Sequence, residues 1–311
     1  MSEMRTEALH QNAGGLDIQP PDAILSSLAG AQVEAASSVR AAIPAIAAAA
    51  EVIAEKLRNG GTLAYAAAGS SGLMALADAL ELPGTFGIER ERIKVLIAGG
   101  DEAFKTLAGG PEDDTEEASQ AVAQAKLGPG DCLIAVSASG TTPYAVRALQ
   151  EANSRGAATV AIANNSATPL LAQAGTAILL ETPPEVIAGS TRMGAGTAQK
   201  IALNMLSTLA AIHLGHVHDG YMVNLHADNA KLRERAARIV SAITGRDGDE
   251  ARRLLDRSGG AVKVAVLLAA GADSAEAAEK ILEGTGQKLR PALSVIEGNR
   301  RHQPPFSSNQ A

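Results

Sequence analysis

The sequence predicts an α/β fold in which helices cover both faces of a parallel sheet, followed by a smaller module made only of helices. Between about residues 61 and 182, five short apolar runs alternate with helical stretches. These runs are apolar at almost every position, which is typical of strands buried on both faces of a parallel sheet. After about residue 246 the pattern is helical throughout. A chain of 311 residues is also long enough for about two domains.

The five apolar runs define the predicted strands, and the stretches between them define the helices that cover the sheet. The predicted strands are 62–68, 93–98, 132–137, 158–163 and 177–180. The predicted helices are 71–82, 114–127, 143–155 and a short one near Leu170, after an alanine-rich helical segment over 21–58. Ser190 is then expected to be the N-cap of a long helix over 191–214, which Gly215 ends.

Composition and pattern divide the chain into four predicted parts. A short linker, Gly245-Arg246-Asp247-Gly248, separates the α/β region from the last helices. The predicted helices on either side of this linker are 228–244, 249–257, 260–269, 273–283 and 286–296. We therefore expect an N-terminal helical segment over 1–58, an α/β domain with long helices over 59–245, a helical module over 246–300 and a tail over 301–311.

The composition argues against a nucleic-acid or membrane partner. Aromatic residues make up 2% of the chain and tryptophan is absent, so the stacking surfaces that hold single-stranded nucleic acid are not available. The net charge is −7 and there is no basic run, whereas binding a phosphate backbone needs clustered Lys and Arg. The uncharged stretch over 156–180 is interrupted by Asn, Gln, Ser and Pro, which excludes a membrane span there.

Cysteine usage and the first residues indicate a cytoplasmic protein. Cys132 is the one cysteine, so no intramolecular disulfide can form and a reducing compartment is expected. Its place in an apolar strand favours a buried structural role over a nucleophilic one. The first fifteen residues contain no apolar core of the kind that a secretory signal has.

Two loops rich in glycine and hydroxyl groups follow predicted strands and open helices. In parallel sheets, ligands bind at the carboxyl ends of the strands, and the free N–H groups of a helix start favour an anion. Neither loop has the spacing of a P-loop or of a dinucleotide fingerprint. Glycine and serine also serve turns for purely conformational reasons, but two such loops in one sheet favour a site for a sugar phosphate or a similar anion. The residues predicted to bind are Gly69, Ser70, Ser71 and Gly72 in the first loop, and Ser137, Ser139, Gly140 and Thr142 in the second.

A third hydroxyl segment, two acids and a group of histidines complete the candidates. Ser190 and Thr191 precede the long helix, where they either face an anion or simply cap the helix. Glu81 lies near a proline at a predicted helix end and Glu112 lies in Gly-Gly-Pro-Glu-Asp-Asp; by position alone Glu81 is a solvated surface acid and Glu112 a helix N-terminal acid. His213, His216 and His218, with His226 nearby, lack acidic or cysteine companions at metal-ligand spacing, so a structural turn is favoured over a metal site.

Several of these segments together resemble one known family. AGSSG, DALELPGTFG, GGPEDD, SASGTTPY, GSTRMGAGTAQKIALNMLST and ADNAKLRERAARIV are similar to segments of the N-acetylmuramic acid 6-phosphate etherases. The resemblance extends over about residues 6–296. It implies a sugar isomerase (SIS) fold with a five-stranded, doubly wound parallel sheet and a C-terminal module similar to a UBA domain. It also implies a homodimer that uses neither a metal nor an organic cofactor.

The resemblance implies a carbon–oxygen lyase of cell-wall amino-sugar recycling. The family cleaves the ether between D-lactate and C3 of N-acetylmuramic acid 6-phosphate. In the open-chain sugar the C2 proton is acidic because it lies next to an aldehyde, so a carboxylate can remove it while the lactate leaves. The family's two functional glutamates correspond to Glu81, expected to be the principal acid and base, and Glu112, expected to position or activate water.

Three positions depart from the family pattern in the same direction. Leu73, Thr141 and Gly194 stand where the family usually has a cationic residue, although Arg192 is present. Each lost charge-assisted hydrogen bond would weaken binding by about 1.5–3 kcal/mol. An unphosphorylated amino-sugar ether is therefore an alternative substrate. Also open are a sugar-phosphate sensor like the related glucokinase regulatory protein, an aldose–ketose isomerase, and a contribution of His226 to a neighbouring active site.

Overall fold

A computed structural model describes residues 4–106, 109–225, 227 and 229–302, and it confirms the predicted α/β fold. Five parallel strands form a sheet in the order β2-β1-β3-β4-β5. The strands are β1 (Leu63–Ala67), β2 (Ile93–Ile97), β3 (Cys132–Ser137), β4 (Ala158–Ala163) and β5 (Thr176–Leu179). Their bounds differ from the predicted ones by no more than one residue at either end.

Twelve α-helices are present in the described part of the chain. They are α1 (Pro21–Ser38), α2 (Ile43–Arg58), α3 (Gly69–Phe86), α4 (Thr115–Gln124), α5 (Pro143–Ser154), α6 (Pro169–Gln173), α7 (Gly194–His213), α8 (Ala230–Thr244), α9 (Gly248–Arg257), α10 (Val262–Ala270), α11 (Ala275–Gly284) and α12 (Leu289–His302). A short antiparallel hairpin, β6 (Val217–His218) and β7 (Tyr221–Met222), follows α7. The start predicted for α8, at residue 228, lies outside the described residues; α8 begins after Asn229, whose side chain accepts a hydrogen bond from the Leu232 N–H.

The middle of the sheet is buried because its strands carry almost no polar side chains. Every residue of β1 and β3 is buried. Many of the core residues on the sheet and on the helices packed against it are alanines, and small side chains allow the backbones to approach closely. Cys132 is buried in β3, and burial raises the pKa of its thiol to about 12, as expected of a structural rather than a nucleophilic cysteine.

The N-terminal helical segment is two α-helices instead of one. A 3-10 turn over Val39–Ala42 separates α1 from α2, and Pro44 lies in the first turn of α2. A proline has no N–H group, and its ring clashes with the carbonyl four residues earlier, so it fits only near a helix start. Among the described residues, Pro21–Arg58 is the stretch that is long and apolar enough to cross a membrane by length and composition.

Helix α3 extends beyond its predicted end. The prediction placed that end at Leu82, next to Pro83, but the helix continues through Pro83 to Phe86. It ends at Gly87, which has a left-handed φ of +63° and whose N–H donates to the Pro83 carbonyl oxygen at 3.0 Å. A Cβ at Gly87 would lie 2.0 Å from the Asn224 carbonyl oxygen, so this position requires glycine.

The predicted N-terminus of α7 is wrong by three residues. Ser190 is not its N-cap, because residues 190–193 form turns and the helix begins at Gly194. Instead, the buried Glu185 carboxylate accepts hydrogen bonds from the Gly194 N–H at 2.9 Å and the Ala195 N–H at 2.8 Å. A carboxylate satisfies two free N–H groups and complements the positive end of the helix dipole better than a serine hydroxyl.

The chain divides into two compact units. Unit 1 contains the described residues up to Leu80 together with Glu89–Ala210, and it includes the five-stranded sheet. Unit 2 contains Glu81–Ile88 and the described residues from Ala211 onward. The second unit has an apolar core of its own, to which α8 to α12 contribute. The division into four parts and the likeness of the last part to a UBA domain stay predictions.

Unit 2 contains a buried lysine. Lys263 lies on α10 among apolar residues, and its Nζ donates to the carbonyl oxygen of Gln287 at 3.3 Å and to its side-chain Oε1 at 3.4 Å. Burial lowers the pKa of Lys263 from 10.5 to about 8, since a buried ammonium loses its hydration.

We expect the Lys263→Met variant to change how stability depends on pH. In the unfolded chain Lys263 binds its proton up to about pH 10.5, whereas in the folded chain it releases it near pH 8. The stability of the wild-type protein relative to the variant should therefore rise by about 3 kcal/mol from pH 8 to pH 10.5. Urea unfolding at several pH values measures this difference. Lys280→Met, at an exposed site on α11, is the control, and an equal pH dependence in both variants would contradict the expectation.

Candidate active site

The loop between β3 and α5 contains a compact cluster of hydroxyl groups. The Ser137 Oγ lies 2.7 Å from the Thr142 Oγ1 and 3.2 Å from the Ser139 Oγ. The Gly140 N–H donates to the Ser137 Oγ at 3.0 Å, and the Thr141 N–H donates to the Ser139 Oγ at 3.2 Å. Backbone donors and hydroxyls that converge in this way can be redirected to the oxygens of an anion. The structure thus brings together the four residues predicted in this loop.

The neighbouring segment before α6 supports this loop. Gly140 has a left-handed φ of +73°, and a Cβ on it would lie 2.5–2.7 Å from three side-chain atoms of Thr168. The Leu170 N–H donates to the Gly140 carbonyl oxygen at 3.2 Å. Glycine is therefore required at position 140 both by its backbone conformation and by the space that Thr168 occupies.

The glycine–serine segment after β1 is the first turn of α3. The prediction placed the helix start at Ser71, within this loop, but α3 already begins at Gly69. A Cβ at Gly72 would lie 3.1 Å from the Ile97 Cδ1 on β2, so the helix start packs closely on the sheet. Ser71 is buried and Ser70 is partly exposed. Both hydroxyls therefore lie at the carboxyl edge of β1, as predicted for a ligand site.

Glu112 reaches this same turn from a distant part of the sequence. It belongs to the 3-10 turn Gly110–Asp113, and its Oε1 lies 2.5 Å from the position that a Cβ on Gly69 would take. Partial burial, with a smaller effect of the negative charge of Asp113, raises the pKa of the Glu112 carboxyl. The structure thus places an acid with a raised pKa directly against the predicted binding segment.

The other predicted acid lies in the second unit. Glu81 is exposed and lies on α3, two residues before the proline within that helix. Ser190 and Thr191 lie in the turns that precede α7, where the Thr191 N–H donates to the Gly189 carbonyl oxygen at 2.9 Å. Because Glu185 already accepts from the first two N–H groups of α7, this helix start presents a carboxylate rather than free donors.

The three neutral departures from the family pattern lie in different surroundings. Leu73 is exposed on α3, and Thr141 is exposed beside the hydroxyl cluster. At Gly194 a Cβ would lie 3.0 Å from the Ala35 Cβ and 3.1 Å from the Glu185 Oε2. A lysine at position 194 would therefore require its neighbours to move by a few tenths of an ångström.

A surface groove of about 460 Å³ lies beside Thr141. Its lining residues come from α4, from α5 and the segment before it, and from the start of α6: Thr115, Glu116, Ser119, Thr141, Pro143, Val146, Arg147, Gln150 and Pro169. Arg147 is the basic residue among them, and the sequence analysis did not single it out. Its Nε donates to the Ser119 Oγ at 2.6 Å and its Nη2 to the Glu151 Oε2 at 3.2 Å. The guanidinium is thus already paired with a carboxylate.

The histidine segment extends from His213, the last residue of α7, through His216 to His218 in β6. The His218 Nε2 lies 3.7 Å from the Asp219 Oδ2, and burial lowers the pKa of His218. Within the described ranges, no three His, Cys, Asp or Glu side chains are grouped so that they could hold a metal ion. His226 lies outside the described residues.

Comparison with known proteins identifies the family. Residues 31–164 match the model of the SIS domain. An N-acetylmuramic acid 6-phosphate etherase from Deinococcus radiodurans is 45% identical to the chain over 94% of the chain and 96% of its own length. The etherase of the same name from Symbiobacterium thermophilum is 48% identical over 75% of the chain and 78% of its own length.

Solved structures show partial similarity. A putative phosphosugar isomerase from Bacteroides fragilis has a TM-score of 0.48 and 22% identity, covering 65% of this chain and 97% of its own. A phosphoheptose isomerase from Francisella tularensis has a TM-score of 0.43 and 26% identity, covering 62% and 95%. Family membership rests on the sequence relatives, of which the one from Deinococcus radiodurans matches nearly the whole chain. The chain belongs to the N-acetylmuramic acid 6-phosphate etherase family.

Proposed function

We propose that this protein is a carbon–oxygen lyase that cleaves the D-lactyl ether of N-acetylmuramic acid 6-phosphate, or of a close amino-sugar ether. The products are N-acetylglucosamine 6-phosphate and D-lactate. The family membership supports this reaction. The structural observation that carries it is the Glu112 carboxylate, which lies against Gly69 at the carboxyl edge of the sheet and has a raised pKa.

The proposed reaction is an elimination followed by a hydration. A carboxylate takes the C2 proton of the open-chain sugar, and the C–H electron pair forms the C2–C3 double bond. The C3–O bond breaks, its electron pair leaves with the lactate oxygen, and that oxygen gains a proton from an acid. Water then adds its hydroxyl to C3 and a proton returns to C2. Each proton transfer needs a carboxyl group on the reacting face.

We assign the proton transfers at C2 to Glu81 and the positioning or activation of water to Glu112. The raised pKa of Glu112 suits this role, because a carboxyl that titrates closer to neutral pH can both accept and donate a proton. The polar and phosphate groups of the sugar are assigned to the two loops and to the turns before α7. The binding residues in this proposal are Gly69, Ser70, Ser71, Gly72, Ser137, Ser139, Gly140, Thr142, Ser190 and Thr191.

Glutamine variants of the two acids test the assignment. Glu81→Gln and Glu112→Gln should each lower kcat for D-lactate release by about 10²–10⁴-fold, because the amide cannot exchange the proton. Binding of the sugar should stay nearly unchanged. The exposed Glu55→Gln, on α2, is the control and should keep full activity. Near-normal turnover in Glu81→Gln would remove Glu81 from the mechanism.

Asp113→Asn should shift the limb of the pH–rate profile set by Glu112 to lower pH, since Asp113 contributes to the raised pKa of Glu112.

The substrate is tested by comparing two sugars with the wild-type protein. We expect D-lactate release from N-acetylmuramic acid 6-phosphate to exceed release from unphosphorylated N-acetylmuramic acid, because the hydroxyl cluster of the β3–α5 loop provides donors for a phosphate. Faster release from the unphosphorylated sugar would show that the neutral Leu73, Thr141 and Gly194 have changed the specificity. Release from neither sugar would contradict the lyase and favour a sugar-phosphate sensor or an isomerase.

We further propose a cytoplasmic homodimer without a nucleic-acid or membrane partner. Helix α1 supports the dimer, because Ala35 is its one buried residue whereas the Leu25 and Val33 side chains are 65% and 68% exposed. An apolar helix face of this kind favours association with a second protein surface. The net charge of −7 does not favour binding to nucleic acid or to anionic lipid.

The mass in solution tests the dimer. Light scattering should give twice the chain mass of 31.6 kDa, and the double variant Leu25→Glu, Val33→Glu should give a single-chain mass, since two charges would have to be buried at the interface. Glu34→Lys, at an exposed position of the same helix on the side opposite Leu25, is the control. A wild-type mass of one chain would refute the dimer.

A further inference from the structure

The segment before α1 is held tightly although it lies near the N-terminus. It contains two 3-10 turns, Arg5–Glu7 and Leu16–Ile18. Within it, the Thr6 side chain is 3% exposed, whereas Leu9 is 79% exposed. The segment therefore turns a polar residue inward and an apolar one outward. Buried polar residues almost always have hydrogen-bond partners.

Thr6 has these partners on two sides. Its N–H donates to the Asn165 Oδ1 at 3.4 Å, and its Oγ1 accepts from the Asn165 Nδ2 at 3.1 Å. Its carbonyl oxygen accepts from the Gly189 N–H at 3.0 Å. One buried threonine thus joins the segment after β4 to the residue immediately before Ser190.

Asn165 continues the connection to the hydroxyl cluster. It is buried, and its Nδ2 also donates to the Ala138 carbonyl oxygen at 3.1 Å and to the Ser139 carbonyl oxygen at 3.4 Å. In a trans peptide the carbonyl and the next N–H point in opposite directions. With both carbonyls turned toward Asn165, the N–H groups of Ser139 and Gly140 point away from it. The Gly140 N–H indeed donates to the Ser137 Oγ.

We propose that Thr6 and Asn165 are positioning residues, which hold the backbone donors of the β3–α5 loop and the turn at Gly189 in the geometry that binds substrate. Neither residue is among those assigned above to the proton transfers or to sugar binding. The inference rests on the proposed function, because it assumes that these segments bind the sugar. Its consequence is that the N-terminal segment is part of the substrate site, and that loosening it weakens substrate binding and leaves the chemical step unchanged.

Matched variants of Thr6 test the inference. Thr6→Val keeps the shape but removes the Oγ1 acceptor, Thr6→Ser restores it, and Leu9→Ser changes an exposed residue of the same segment. We expect Thr6→Val to raise KM for D-lactate release about tenfold with kcat within about twofold of wild type. Thr6→Ser and Leu9→Ser should keep the wild-type KM. Asn165→Asp removes the Nδ2 donor and should raise KM at least as much as Thr6→Val.

Hydrogen exchange gives a readout that does not depend on catalysis. In Thr6→Val, the amides of residues 138–142 should exchange about tenfold faster, while those of β1 and β3 keep the wild-type rate. Unchanged exchange and KM would overturn the proposal. Equally faster exchange throughout unit 1 would also overturn it, because Thr6 would then only stabilise the fold. If the wild-type protein releases no D-lactate, the proposed function fails, and the exchange of residues 138–142 still decides whether Thr6 orders the loop.

Discussion

The shape of the carboxyl edge of the sheet depends on two glycines, Gly69 and Gly140, at which there is no space for a larger side chain. At Gly69 the carboxylate of Glu112 fills the volume that a Cβ would need, and at Gly140 the side chain of Thr168 does so. Both glycines also have a left-handed φ, which other residues adopt at a cost of about 1–2 kcal/mol. The two segments predicted to hold substrate are therefore shaped by contacts with parts of the chain that lie well apart in sequence. A larger residue at either position would displace the contact as well as strain the backbone.

Helix α3, which begins at the first of these glycines, is fixed to the sheet by a buried polar network. The Asp78 carboxylate accepts hydrogen bonds from the Tyr65 hydroxyl, the Asn204 Nδ2 and the Ser207 Oγ, each at 2.9 Å. Burial raises the pKa of Asp78, and these three hydrogen bonds oppose part of that rise. A buried carboxylate is tolerated when its oxygens are satisfied, and removing one partner leaves it exposed to the full desolvation cost. The network therefore fixes α3 against β1 and α7 within unit 1.

The strands could be predicted from the sequence almost residue by residue, because burial on both faces leaves a continuous apolar run with polar ends. Helix ends were harder to predict, because the groups that satisfy them lie elsewhere in the chain. Serine is a common N-cap residue, but Ser190 does not cap α7. The Glu185 carboxylate accepts from the first two N–H groups of the helix instead, and no local sequence pattern indicates this contact. The contact between Glu112 and Gly69 spans 43 positions, and by position alone Glu112 is an acid at a helix N-terminus. The roles of Thr6 and Asn165 were missed for the same reason, since a threonine near a terminus carries no sign of burial.

The capping of α7 by Glu185 affects anion binding near Gly194, one of the three neutral positions where the family usually has a cationic residue. A helix N-terminus attracts an anion only while its N–H groups are free, and Glu185 both occupies them and adds a negative charge. Gly194 at the start of this helix is packed against Ala35, so the loss of a cation there accompanies close packing of α1. The β3–α5 loop, by contrast, keeps neutral donors that are paired mainly with one another. A neutral donor can hydrogen-bond a phosphate but lacks the opposite charge of an ammonium or guanidinium group, so more such donors must converge to hold the same phosphate. In the proposed function, phosphate recognition therefore depends on the ordering of that loop rather than on any single charge.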